Sequence, residues 1–185
     1  ANSAIFSVVD TVLLRPLAFP HPDQLVAIWN SDINQPTSYE TDSFPDFYDF
    51  RAQSQSFSAM TAYSGAGTVL SGVGEAQELH GVGVAGDFFE VMGVPPMLGR
   101  GFSAKESKNG QPNVVVISHG LWQRAFGSDR QIIGRQINLS GRPYTLLGVM
   151  PPGWKFPVQA ELVDFVEPLE PLAAKLQVVL IQFPP

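Results

Sequence analysis

The residues whose spacing most suggests chemistry are the glycines of "GVGVAG", Gly81 to Gly86. A G-x-G-x-x-G pattern lets the backbone approach a dinucleotide pyrophosphate at a helix N-terminus, with an acid about 20 residues further on for the ribose. Glu106 lies near that distance. The surroundings point elsewhere. Gly81 and Gly83 alternate with Val82 and Val84, as in a strand. The helix that follows, "GDFFEVMG", is short, and Pro95-Pro96 arrives before a βαβ unit can close. The expectation is a glycine-rich strand packed close to another element.

The other reactive side chains are scattered. His21, His80 and His119 fall in a proline turn, near a strand start and in the first turn of a helix. There is no His-x-x-x-His pair and no cluster of His with carboxylates. Asp42, Asp46 and Asp49 suggest paired carboxylates, and the last two share a helix face; acids at a helix start are favoured by its dipole without any catalysis. Ser118-His119-Gly120 lacks the G-x-S-x-G frame of a nucleophile elbow. Trp29, Trp122 and Trp154 read as core or rim aromatics. The chain has no Cys, which removes thiolate catalysis, disulfides and Cys-ligated zinc. The expected set of catalytic, cofactor-binding and metal residues is therefore none, with no cofactor and no enzyme activity.

Composition bounds the partners. At 185 residues the chain suits one domain or two small lobes. With 44% hydrophobic and 15% charged residues it has the makings of a folded core. The net charge is −6, and the 11 Lys and Arg form no basic stripe, so no nucleic acid is expected. No run reaches the ~18 apolar residues of a membrane span.

The elements that would carry these residues are short and divided by glycine and proline. Ile5, Val8, Val9 and Val12 give one apolar helix face within Ala1–Leu14. That helix covers roughly 21 Å, less than a hydrocarbon core of about 30 Å. Asp10 and the lack of a basic start exclude a signal peptide. Gln24–Asn30 reads as a strand and Ser31–Thr41 as a polar loop. "SFPDFYDFRAQ" reads as a helix with Ser43 as N-cap, and "SFSAMTAYS" as a second short element. Gly67–Ser71 and Ala76–Val84 form a hairpin through "GVGE". A short helix follows with Asp87 as cap and Gly93 as stop. Asn113–Ser118 is a buried strand, and "HGLWQRAFG" is a helix capped by Ser118 and ended by Gly127. A second hairpin turns at Ser140-Gly141. This mixture of hairpins and short helices predicts an α+β fold.

Taken in order, four blocks resemble a known family. They are "ANSAIFSVVDTVLLRPLAFPHPDQLVAIW", "SFPDFYDFRAQSQSF", "LHGVGVAGDFFEVMGVPPMLGRGF" and "NVVVISHGLWQRAFGSDRQIIGRQINLSGRPYTLLGVMPPGWKFP". They are similar to the MacB-like periplasmic core domain of FtsX-type ABC transporter permeases, in the large-permease subgroup common in acidobacteria. The resemblance implies a two-lobed α+β domain: a porter-like lobe made of the chain ends and an inserted β-rich lobe. It implies residues 1–16 as the outer end of transmembrane helix 1, cut short, and residues 17–157 as the core domain. It further implies a place on the periplasmic side of the inner membrane, a separate cytoplasmic ABC ATPase, a second permease copy, and a role in passing motion or substrate outward during efflux. No catalytic residue carries over.

Residues 158–185 depart from that pattern. Leu162–Leu176 has an amphipathic helical spacing broken by Pro168 and Pro171, and "LQVVLIQFPP" reads as a strand. This tail resembles a helix–strand step of YecE-like TIM-barrel proteins. A lone step cannot form a barrel, so it must either add to the sheet of the main domain or hang loosely, and the expectation is docking against the porter-like lobe. The alternative to a transport role is a soluble binding or interaction module, a fusion remnant outside any transporter.

Overall fold

Val-Val-Val-Ile at Val114–Ile117 presents apolar side chains to both faces, as a strand covered on both sides must. The computed structural model, which describes residues 25–28, 30–32, 35–40, 44–103, 106, 113–154, 164–168 and 178–182, puts this strand in the interior of one large sheet. The strands are β1 (Leu25–Ile28), β2 (Asn30–Asp32), β3 (Gln35–Glu40), β4 (Ala59–Ser71), β5 (Gln77–Gly86), β6 (Leu98–Gly99), β7 (Val114–Ile117), β8 (Gln136–Leu139), β9 (Arg142–Val149), β10 (Phe165–Pro168) and β11 (Val178–Gln182). The helices are α1 (Phe44–Gln53), α2 (Phe88–Met92) and α3 (His119–Phe126). The α+β class expected from the sequence is the class observed.

The sheet runs β1-β11-β4-β5-β10-β7-β9-β6, and β8 pairs with both β4 and β9. That extra pairing closes a ring. From β4 the ladder passes to β5, β10, β7, β9 and β8, then returns to β4 at Leu70↔Leu139 and Ser71↔Asn138. All six strands of the ring contribute to one buried cluster, through residues such as Leu70, Leu79, Val115, Leu139, Leu146 and Phe165. Leu121 and Trp122 of α3 join the same cluster. A second cluster lies on the opposite face, where Val82, Val84, Val114, Val116 and Val166 meet Phe88, Val91 and Met92 of α2. Alternate residues of β7 serve the two clusters, which accounts for its unbroken apolar run.

Local signals behave as the residue types dictate. Ser118 caps α3, its Oγ accepting from the Leu121 N–H at 3.1 Å, and Gly127 ends the helix in the left-handed region at φ 56°. Gly93 ends α2 the same way at φ 62°. The β8–β9 turn places Ser140 at φ 48° and Gly141 at φ 82°.

Several expectations need correction. Ser31–Thr41 was expected to be a loop, but β2 and β3 form an antiparallel ribbon there. Its polar sequence carries no apolar alternation to announce it. "SFSAMTAYS" is no separate element; its latter part opens β4, which runs unbroken for 13 residues. Asp87 stands at the N-cap position of α2, but its side chain makes no cap hydrogen bond and pairs instead with Arg51 of α1. Within Leu162–Leu176, residues Phe165–Pro168 are a strand rather than helix. Burial of Phe165 and Val166 between β5 and β7 overrides the helical spacing there. Ala1–Leu14, Trp29, His21, Asp42 and Ser43 lie outside the described residues.

Candidate functional site

The glycines of "GVGVAG" lie within β5 rather than in a loop before a helix. A Cβ on Gly81 would stand 2.5 Å from the Phe165 ring of β10, with which it is in register. Gly86 has φ +80°, and a Cβ there would stand 2.4 Å from the Met60 carbonyl oxygen. Both glycines are required by close packing, as expected, and the run forms no phosphate cradle.

The remaining candidates do not converge. His80 is exposed on β5, and His119 packs edge-on against Trp122 at 5.5 Å between ring centroids. Asp46 and Asp49 are exposed on α1. Trp122 is buried and donates its indole N–H to the Asp129 carbonyl at 2.9 Å, while Trp154 lies 6.4 Å from Phe88. Among the described residues no three His, Asp or Glu gather where a metal could be held.

What the structure does build is a set of ties between elements. Glu106 takes the Arg100 guanidinium at 2.9 and 3.0 Å and the Ser103 N–H at 2.8 Å. The Arg100 hydrogen bond, above all, holds the Glu106 carboxyl down at about 2. The same bond raises the Arg100 guanidinium. Tyr63, buried where β4 passes from β11 toward the ring, has its phenol pushed up to about 12 by desolvation.

Asp164, just before β10, is a larger junction. Its carboxylate pairs with Arg124 of α3 and accepts from the His80 N–H at 3.2 Å. Its backbone N–H donates to the His80 carbonyl at 2.7 Å, and its own carbonyl accepts from the Ser118 N–H at 2.8 Å. One residue thus binds β5, α3 and the end of β7 to β10. No local pattern marks it, since the three partners are remote in the chain.

The first and last described strands also pair. β1 and β11 are antiparallel, with Leu25 opposite Gln182 and Ile28 opposite Val179. The chain therefore arrives in β1 and leaves β11 at neighbouring positions, about 5 Å apart in such a pair. β11 in turn pairs with β4 from Val178↔Tyr63 to Gln182↔Ala59.

The sequence matches the MacB-like periplasmic core domain family over residues 1–166. The chain belongs to that family. The MacB-like match reaches into β10, to Val166. Solved structures share the fold. The extracellular domain of the noncanonic ABC-type transporter YknZ from Gram-positive bacteria has a TM-score of 0.67 at 15% identity, over 87% of this chain and 84% of that one. The periplasmic region of MacB from Actinobacillus actinomycetemcomitans has a TM-score of 0.65 at 12% identity, over 86% and 73%. A domain of a putative permease protein from Porphyromonas gingivalis has 0.60 at 15%, over 91% and 78%. No curated protein matches the chain. Membership in the MacB-like family makes this an extracytoplasmic domain of the transporter-permease type. Among the described residues no helix is long and apolar enough to cross a membrane.

Proposed function

We propose that the domain transmits conformational change for an ABC transporter permease, on the periplasmic side of the inner membrane, without chemistry of its own. The observation that carries this reading is the pairing of Leu25 with Gln182. A domain placed between two membrane helices must receive and return the chain at one edge, and strands β1 and β11 do so. Residues 1–16 would be the outer end of transmembrane helix 1 and residues 17–157 the core domain, with 158–185 returning to its sheet through β10 and β11. A separate cytoplasmic ATPase would drive the motion, and a second permease copy would carry a matching domain. A displacement of the chain ends then enters β11, passes across its ladder to β4, and moves the closed ring as a body.

These 185 residues contain no Cys, so once any cysteines elsewhere in the permease are replaced a single new thiol reports on this domain. A single cysteine replaces exposed Glu75, in the β4–β5 turn, within the complete permease. A membrane-impermeant maleimide should label it in intact cells once the outer membrane is permeabilised. Spin labels at the same site, read by pulsed electron resonance, should change their separation between nucleotide-free and ATP-trapped transporter. Labelling only after lysis, or one unchanged distance distribution in both states, refutes the proposal.

A further inference from the structure

The sheet has two parts that share β4. Strands β1 and β11 form a wing beside its first half, and the closed ring takes in its second half through β5 and β8. Ladder hydrogen bonds hold neighbouring strands edge to edge but leave their relative twist free to vary, from about 10° to 35° across sheets. The wing can therefore rock against the ring unless something packed on the face of the sheet prevents it.

Helix α2 is placed to prevent it. The chain leaves β5 at Gly86, whose φ of +80° turns it out of the strand. The Asp87 N–H then donates to the Met60 carbonyl at 2.9 Å, which fixes the start of the helix to the part of β4 that carries the wing. The helix lies against β4 and β11. Beyond Gly93 the chain crosses to the ring. There the Met97 N–H donates to the Val149 carbonyl at 2.8 Å and the Arg100 N–H to the Leu147 carbonyl at 2.9 Å. One end of the segment thus holds the wing side, and the other holds β9.

The side chains repeat this arrangement. Phe88, Val91 and Met92 share one buried cluster with Ala59 and Tyr63, which pair with β11, and with the valines of β5, β7 and β10. Phe89 is seated where a Cβ on Gly101 would stand 2.4 Å from its ring. Phe88 meets Trp154, just past β9, edge-on at 6.4 Å between centroids. Close-packed interiors compress little and pass strain from one side to the other.

We propose that α2 is a strut that locks the β1–β11 wing to the ring, so that the two move as one body. Without it β4 would still join them, but as a seam that twists. The use of this lock in transport rests on the transmission proposed above. The lock itself belongs to the folded chain and is tested without ATPase or nucleotide, so either reading can fail while the other stands.

The test measures distances in the 185-residue chain, which has no Cys of its own. Spin labels at Val26→Cys on β1 and Gln123→Cys on α3 report the wing against the ring. Labels at Glu75→Cys and Gln123→Cys report the ring alone. All three positions are exposed. Pulsed electron resonance should give one narrow distribution for each pair in the parent. Met92→Ala should at least double the width for the wing–ring pair and leave the ring pair unchanged. Val91→Ala, a smaller truncation of the same helix face, should act in the same sense and decides the matter if Met92→Ala does not fold. A broad wing–ring distribution in the parent overturns the proposal. So does a narrow one in the folded variant, which would put the coupling in the β4 ladder alone. Equal broadening of both pairs overturns it too, by making α2 a support for the whole fold rather than a lock between its parts.

Discussion

Replacing Gly81 with alanine tests the packing reading of the glycine motif. The new Cβ would stand 2.5 Å from Cε1 and Cζ of Phe165, well inside contact distance. Phe165 is only 1% exposed and belongs to the cluster inside the ring of strands, so its ring has no free space to swing into. Overpacking a filled core costs about 1–3 kcal/mol. Against this, alanine in a strand regains roughly 0.5–1 kcal/mol of backbone entropy that glycine loses. The clash prevails, and a net loss of about 1–2 kcal/mol is expected. At this chain length that lowers Tm by roughly 2–8 °C. Urea unfolding followed by circular dichroism should show a reduced midpoint with unchanged slope. Gly67→Ala is the control, because nothing lies within 4 Å of its Cβ; it should be neutral or slightly stabilising. In the double variant Gly81→Ala/Phe165→Leu the smaller side chain relieves the contact, so the double variant should lose less than the sum of the two single losses. If Gly81→Ala is as stable as the parent, or if the double variant is strictly additive, the close contact with Phe165 is not why residue 81 is glycine.

Glu106→Gln should flatten the acid limb of stability: the folded carboxyl titrates at about 2, below the ordinary 4.5, so its contribution is complete above 4.5 and fades as pH falls toward 2. Arg100 is 59% exposed, so the effect should stay under about 1 kcal/mol and shrink in salt, as urea midpoints at several pH values will read. Ser118→Ala removes the oxygen that caps α3 and should cost about 1 kcal/mol by urea unfolding. Asp164→Asn loses the charge that pairs with Arg124 while keeping an acceptor for the His80 N–H; it should cost about 1 kcal/mol and speed exchange of the β10 amides before those of β7.

The parts of this fold that were legible in the sequence are those set by neighbours in the chain. Ser118 and Gly127 bracket α3 because a cap and a left-handed stop are local events. Ser140-Gly141 marks its turn for the same reason. The strand β7 announced itself because both its faces are covered. The rest was hidden where tertiary pairing decides. Phe165-Val166 could satisfy a helical spacing, and only insertion between β5 and β7 makes them a strand. The β2–β3 ribbon rests on backbone pairing that polar residues do not advertise. Asp164 joins residues 84, 40 and 46 positions away, a separation no motif could bridge.

The same distinction explains why β4 matters more than its composition suggests. Its first five residues pair with β11, which lies beside the chain's arrival in β1. Its last two pair with β8, and that contact alone converts an open sheet into a closed ring. Removing it would leave β8 on β9 and β4 on β5, two hairpins sharing a cluster but no longer a circuit. Cutting the circuit at Leu70↔Leu139 should loosen the ring interior without disturbing the β1–β11–β4 ladder. Exchange protection at Val115 and Leu146 would then fall while that at Thr61 holds. Equal loss at all three would mean that the circuit and the ladder are one cooperative unit, and that β4 is a shared spine rather than a bridge between two.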